Sequence, residues 1–181
     1  GTFQAAQNFI TGLGPRSVAM GDFNGDVKLD LAVANSDSNT VSLLLGNGNG
    51  TFQIPSSLGV GSVPLSATAG DLNADGFADI VIGGYSFDDN EYQIMVFNNT
   101  TSGNLSFSKT NSFESTEYIN ALHLTDYDGD NDLDIHTKVY NRDLFLETST
   151  ILINTGTVAG PAPAIPLNLT ATVGTHVNLT W

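Results

Sequence analysis

Apolar residues in this chain fall in short runs cut by Gly, Asn, Asp and Ser, and no segment spaces them with a 3.6-residue period. The pattern predicts an all-β protein with almost no helix. The runs are rich in Val, Ile, Leu and Phe, the residues that fit a pleated, half-buried surface. They return in a fixed order around three acidic loops. One strand precedes each loop, at Ser17–Met20, Ala67–Ala69 and Ala121–Leu124. A second follows it, at Leu31–Val33, Ile80–Ile82 and Ile135–Val139. A third is expected at Val41–Leu45, Tyr92–Phe97 and Thr150–Ile153, each running into a Gly- or Asn-rich turn. A fourth, weaker strand begins at Thr51-Phe52 and at Leu105–Phe107.

The order reflects an internal repeat. Gly-Thr-Phe-Gln at 1–4 returns at 50–53, an offset of 49, and at that offset GDFNGDVKLD (21–30) becomes GDLNADGFAD (70–79). A third copy, TDYDGDNDLD at 125–134, lies 55 residues further on. About four strands per repeat of about 50 residues is the signature of a propeller blade. The predicted fold is a partial β-propeller of three four-stranded blades over residues 1–157, too few to close a ring. The chain opens on a fourth strand and its last repeat stops after the third. That phase places Asn154–Thr157 near the end of a propeller whose other blades lie upstream, or else marks a cut in a longer array. Further blades of the same chain are expected.

The three loops share the pattern D-x-[DN]-x-D-x-x-x-D. Asp22, Asn24, Asp26 and Asp30 fill positions 1, 3, 5 and 9 of the first; Asp71, Asn73, Asp75 and Asp79 those of the second; Asp126, Asp128, Asp130 and Asp134 those of the third. Position 7 offers a backbone carbonyl, from Lys28, Phe77 and Asp132. Carboxylates plus a carbonyl are the hard oxygen donors that Ca²⁺ takes, whereas transition metals favour His or Cys. Asp and Asn also serve as plain turn residues, but turn propensity does not demand an acid at position 9. Three Ca²⁺ sites are therefore expected. An EF-hand loop is excluded, because position 12 is Val33, Ile82 or Thr137 and no helices flank the loops. Position 6 favours Gly for its backbone freedom, and only Gly76 supplies it; Asn131 tolerates the left-handed region and β-branched Val27 does not. Site three should bind tightest and site one weakest.

Charge sharpens the picture. The 181 residues carry 19 acids against five Lys and Arg, a net charge of −14, and eleven of those acids lie in the three loops. Such a balance excludes a nucleic-acid partner, which clustered cations would bind. There is no Cys, so disulfides and thiolate sites are absent. No apolar run approaches the ~20 residues of a membrane span.

With these motifs on the page, GDFNGDVKLDLAVAN…VSLLLGNGNGTFQ resembles an FG-GAP/VCBS-type repeat, as in the N-terminal propeller of integrin alpha chains and many secreted bacterial proteins. The resemblance implies a propeller of seven blades in the whole protein, Ca²⁺ held in the hairpin between the first two strands, and ligands met by variable loops on the opposite face. PAPAIP, within 158–166, reads as a stiff Pro-rich linker. LNLTATVGTHVNLTW at 167–181 resembles the start of a fibronectin type III domain.

Three function classes follow. The leading one is an extracellular or cell-surface, non-catalytic binding or adhesion module for a protein or carbohydrate ligand, contacted through loops such as Ser86–Tyr92. The others are part of a secreted polysaccharide-active enzyme and an architectural spacer in a surface protein. No G-x-S-x-G or H-E-x-x-H motif supports catalysis. His123 and His136 flank the third loop and are expected to face each other across its hairpin in a structural role. The Asn-x-Ser/Thr triplets at Asn98, Asn99, Asn104, Asn168 and Asn178 read as chance in an Asn- and Thr-rich chain rather than glycosylation sites.

Overall fold

The computed structural model describes residues 2, 5–99, 105–115, 117–141 and 146–155. The Pro-rich linker, the fibronectin-like segment and most of the opening Gly1–Gln4 strand lie outside them.

Among the described residues there is no helix, and eleven strands form three antiparallel sheets. The first sheet takes β1 (Pro15–Gly21), β2 (Asp30–Asn35), β3 (Thr40–Leu44) and β4 (Ser56–Gly59) in that order. The second takes β5 (Val63–Gly70), β6 (Asp79–Ser86), β7 (Glu91–Asn99) and β8 (Phe107–Ser115); the third takes β9 (Tyr118–Thr125), β10 (Asp134–Asn141) and β11 (Leu146–Leu152). Each sheet is a meander of neighbouring hairpins, one blade per sequence repeat. In each, the acidic loop joins the first strand to the second. The expected first, second and third strands are all present. The fourth strand of blade one is displaced, because Phe52 forms only an isolated bridge with Gly46 and the strand proper is β4. The Ser86–Tyr92 segment is tighter than a long loop: Ser86 pairs with Glu91, leaving a four-residue turn at 87–90.

Period-two alternation explains how the blades stack. Along β6, Ile80 and Ile82 join Met95 and Phe97 of β7 in a core against Ala19, Ala32, Ala34, Val41 and Leu43 of blade one. The intervening Val81, with Ile94 and Val96, turns the other way into a second core with Ile119, Leu122, Ile135, Val139 and Leu152 of blade three. A strand covered on both faces must be apolar throughout, hence the unbroken Ile80–Ile82 run. Gly83 permits the close approach of blade three: a Cβ there would lie 2.6 Å from Ile119 Cγ2.

The repeat extends to irregularities. Pairing skips Arg16 in β1, Leu65 in β5 and Asn120 in β9, so a bulge recurs at the equivalent position of every blade. Such bulges add twist to the strand that carries them. Pro15 and Pro64 sit beside the first two, where a missing N–H costs no ladder bond.

Candidate metal sites and the clamps beneath them

All three acidic loops are wound alike. The position-1 carboxylate gathers backbone N–H groups from further along its loop. Asp22 accepts from Gly25 (2.8 Å) and Val27 (2.7 Å), Asp71 from Asp75 (3.1 Å) and Gly76 (2.8 Å), and Asp126 from Gly129 (2.6 Å) and Asn131 (3.1 Å). Position 3 accepts from the N–H of position 5: Asn24 from Asp26, Asn73 from Asp75, Asp128 from Asp130. Position 5 accepts from position 7, where Lys28, Phe77 and Asp132 donate to Asp26, Asp75 and Asp130 at 3.0, 2.9 and 2.9 Å.

To turn this tightly the backbone enters the left-handed region twice per loop, at positions 4 and 6. The pairs are Gly25 and Val27, Ala74 and Gly76, Gly129 and Asn131. Each loop spends one glycine and forces one other residue to positive φ. Sequence reasoning identified position 6 and missed position 4, although a glycine at Gly25 and Gly129 was the visible signal. Val27, at φ 63°, is the costliest of the six, since its branched Cβ is crowded there.

In the third loop, Asp126, Asp128 and Asp130 each bring a carboxylate oxygen within 4.8 Å of the others, all on the exposed surface. This donor set, hard oxygens with no nitrogen or sulfur, fits Ca²⁺. Desolvation first, and then the charges of Asp130, Asp126 and Asp128, raise the carboxyl pKa of neighbouring Asp132. The first loop differs because Lys28 Nζ lies 2.9 Å from Asp26 Oδ2 and holds that carboxyl below its ordinary range. A tethered ammonium already occupies part of the negative field there.

The position-9 acids are set apart from the exposed carboxylates. Asp30, Asp79 and Asp134 are fully buried, and both oxygens of each accept backbone N–H groups. One comes from position 2 of the same loop: Phe23 (2.9 Å), Leu72 (3.0 Å) and Tyr127 (2.8 Å). The other comes from just beyond the third strand or at its end: Gly46 (2.7 Å), Asn99 (2.8 Å) and Asn154 (2.7 Å). Each aspartate thus clamps its loop to the far side of its own blade. Burial raises all three carboxyl pKa values, and that of Asp79 reaches about 7.

His136 lies opposite His123 in register, the rings stacked with centroids 6.1 Å apart and Tyr127 5.7 Å away. Burial lowers the His136 pKa, helped by His123.

Three blade-like meanders stacked through alternating cores, each with an acid-tipped first hairpin, define a partial β-propeller. Comparison with known families agrees: the FG-GAP-like repeat family matches residues 22–82 and the FG-GAP repeat family residues 63–105. Residues 22–105 are thus similar to FG-GAP repeats. These matches hold the first two acidic loops and stop short of the third, whose kinship rests on its shared winding and clamp. No curated protein matches the chain.

Proposed function

We propose that this chain is a calcium-binding, non-catalytic β-propeller module of an extracellular protein, serving binding or adhesion. The observation that carries the reading is the threefold recurrence of one loop winding, which in the third loop gathers three exposed carboxylates that repel one another unless a cation lies between them. The ions would be held by Asp22, Asn24 and Asp26, by Asp71, Asn73 and Asp75, and by Asp126, Asp128 and Asp130. Asp30, Asp79 and Asp134 would support them from beneath, and the carbonyls of Lys28, Phe77 and Asp132 would complete the shells. Millimolar extracellular calcium makes sites of modest affinity sufficient.

A binding role draws support from the opposite ends of the strands. There Phe87, Tyr85, Tyr92 and Tyr118 form a ladder of edge-to-face contacts, with centroids 5.3, 5.1 and 5.4 Å apart along the series. Phe87 at the hairpin tip is 69% exposed beside Asp88, Asp89 and Asn90. Apolar rings bordered by polar groups suit a protein or glycan ligand.

Calorimetric titration of the chain with Ca²⁺, paired with thermal melts in calcium and in chelator, tests the calcium reading. Binding to the folded form alone adds RT ln(1 + [Ca²⁺]/Kd), about 2.7 kcal/mol at a hundredfold excess over Kd. Superimposable melts and no heat of binding would overturn it.

A further inference from the structure

The clamps of neighbouring blades are joined to one another. Asn99, whose backbone N–H is held by Asp79 of the second loop, donates its side-chain amide to the carbonyl of Phe23 in the first loop at 2.6 Å and to that of Ala78 at 3.3 Å. Asn154 repeats the arrangement one blade on. Its N–H is held by Asp134 of the third loop, and its amide donates to the carbonyl of Leu72 in the second loop at 2.9 Å and to that of Leu133 at 3.3 Å. Because Phe23, Leu72 and Tyr127 also donate their N–H groups to Asp30, Asp79 and Asp134, the bonds form one continuous line. It runs from Asp134 through Asn154, Leu72, Asp79 and Asn99 to Phe23 and Asp30. A direct backbone bond from Ala78 N–H to Asp22 O (3.2 Å) reinforces the step between the first two loops.

We propose that Asn99 and Asn154 couple the three loops energetically, so that a cation ordering one loop raises the affinity of its neighbour. The inference rests on the calcium reading above. A loop bound to a cation holds its position-2 residue and position-9 aspartate in place, and through the aspartate the asparagine beside it. The adjoining loop, whose carbonyl that asparagine grips, then has less disorder to lose when its own cation arrives. Coupling of this kind is reciprocal, and typical magnitudes are five- to 150-fold in affinity.

The line has a hub and an end. The second loop is gripped by Asn154 and reaches the first through Asn99, so it communicates with both neighbours. At the equivalent position blade one has Gly46, whose N–H keeps the bond to Asp30 but which has no side-chain amide, and a Cβ there would collide with the Leu29 carbonyl. The first loop therefore reports on the second, and on the third only through it.

Each loop contains a glycine whose amide resonance follows it, Gly25, Gly76 and Gly129, and of these Gly25 also packs against the Phe77 ring of the second loop. NMR titration of the full chain with Ca²⁺ follows all three. Disabling the third loop with Asp126→Asn and Asp130→Asn should weaken binding at Gly76 about fivefold or more. The same change made on an Asn154→Ala background should leave Gly76 affinity unaltered. Amide exchange in chelator provides a second readout: Asn154→Ala should accelerate exchange at 72–77 with the strands still protected. Gly76 affinity indifferent to the third loop in the parent chain would overturn the coupling alone. A chain that binds no Ca²⁺ at any of the three glycines would overturn the calcium reading and the coupling with it.

Discussion

Asn99 reaches from the end of β7 to the carbonyl of Phe23 in the neighbouring blade, a 2.6 Å bond between residues 76 apart in sequence and both fully buried. Water cannot replace a donor lost from that position. Asn99→Ala should destabilise the chain by about 1–3 kcal/mol, the cost of leaving buried carbonyls unpaired. Denaturant unfolding measures it. The half-buried Asn154→Ala should cost less, because solvent can reach the carbonyls it vacates.

Val27 is 92% exposed and touches little, yet it sits at φ 63°. Its contribution is almost wholly backbone strain, of about 1–3 kcal/mol. Val27→Asn should therefore raise the unfolding free energy by about 1 kcal/mol, since Asn tolerates the left-handed region. Asn131 occupies the same position of the third loop, so Asn131→Asp should change stability far less. Equilibrium unfolding of both variants in chelator is the test.

Lys28 competes with any cation for Asp26. Lys28→Met removes the ammonium and keeps the apolar stem. Affinity at the first loop, read at Gly25, should rise severalfold, with the third loop, which reaches the first only through the second, changing least. Exposed ion pairs contribute little to stability, so the melt in chelator should move by less than about 1 kcal/mol.

The buried clamps predict how the metal-free chain answers pH. Asp79 titrates near 7 in the folded state against 3.8 as the reference, so between those values the folded form holds a proton that the unfolded form has released. Its stabilising contribution is full below 3.8 and is lost as pH rises through about 7. Asp30 and Asp134 shift in the same direction. In chelator, the melting temperature should be higher at pH 5.5 than at pH 8 by a few degrees, on the order of a 1 kcal/mol change in a domain of this size. A flat or rising profile would contradict it.

The blades were largely legible in the chain because a strand buried on one or both faces writes its environment into a period of two residues. Ile80–Ile82 announced itself by composition, and the loops by an acid spacing that survives threefold. The fourth strand was harder. Thr51-Phe52 has strand-like residues, but Gly48 and Gly50 at positive φ hold the chain in a turn that delays pairing until Ser56. The position-9 aspartates were recognisable as part of the motif, whereas their burial was not. Burial depends on which backbone N–H groups converge from the far side of a blade.

Sequence alone determined what is local or periodic: the strands, the repeat, the acid-rich turns and the oxygen chemistry they offer. Those features depend on side-chain alternation and on neighbours within a few residues. Tertiary structure alone decided that Asp30, Asp79 and Asp134 are clamps and that Asn99 and Asn154 tie one loop to the next. The clamp bonds cross a single blade, between residues 7 to 20 positions apart, and form when its strands pair; the asparagine bonds join residues 76 and 82 positions apart, and only the stacking of blades brings those within reach.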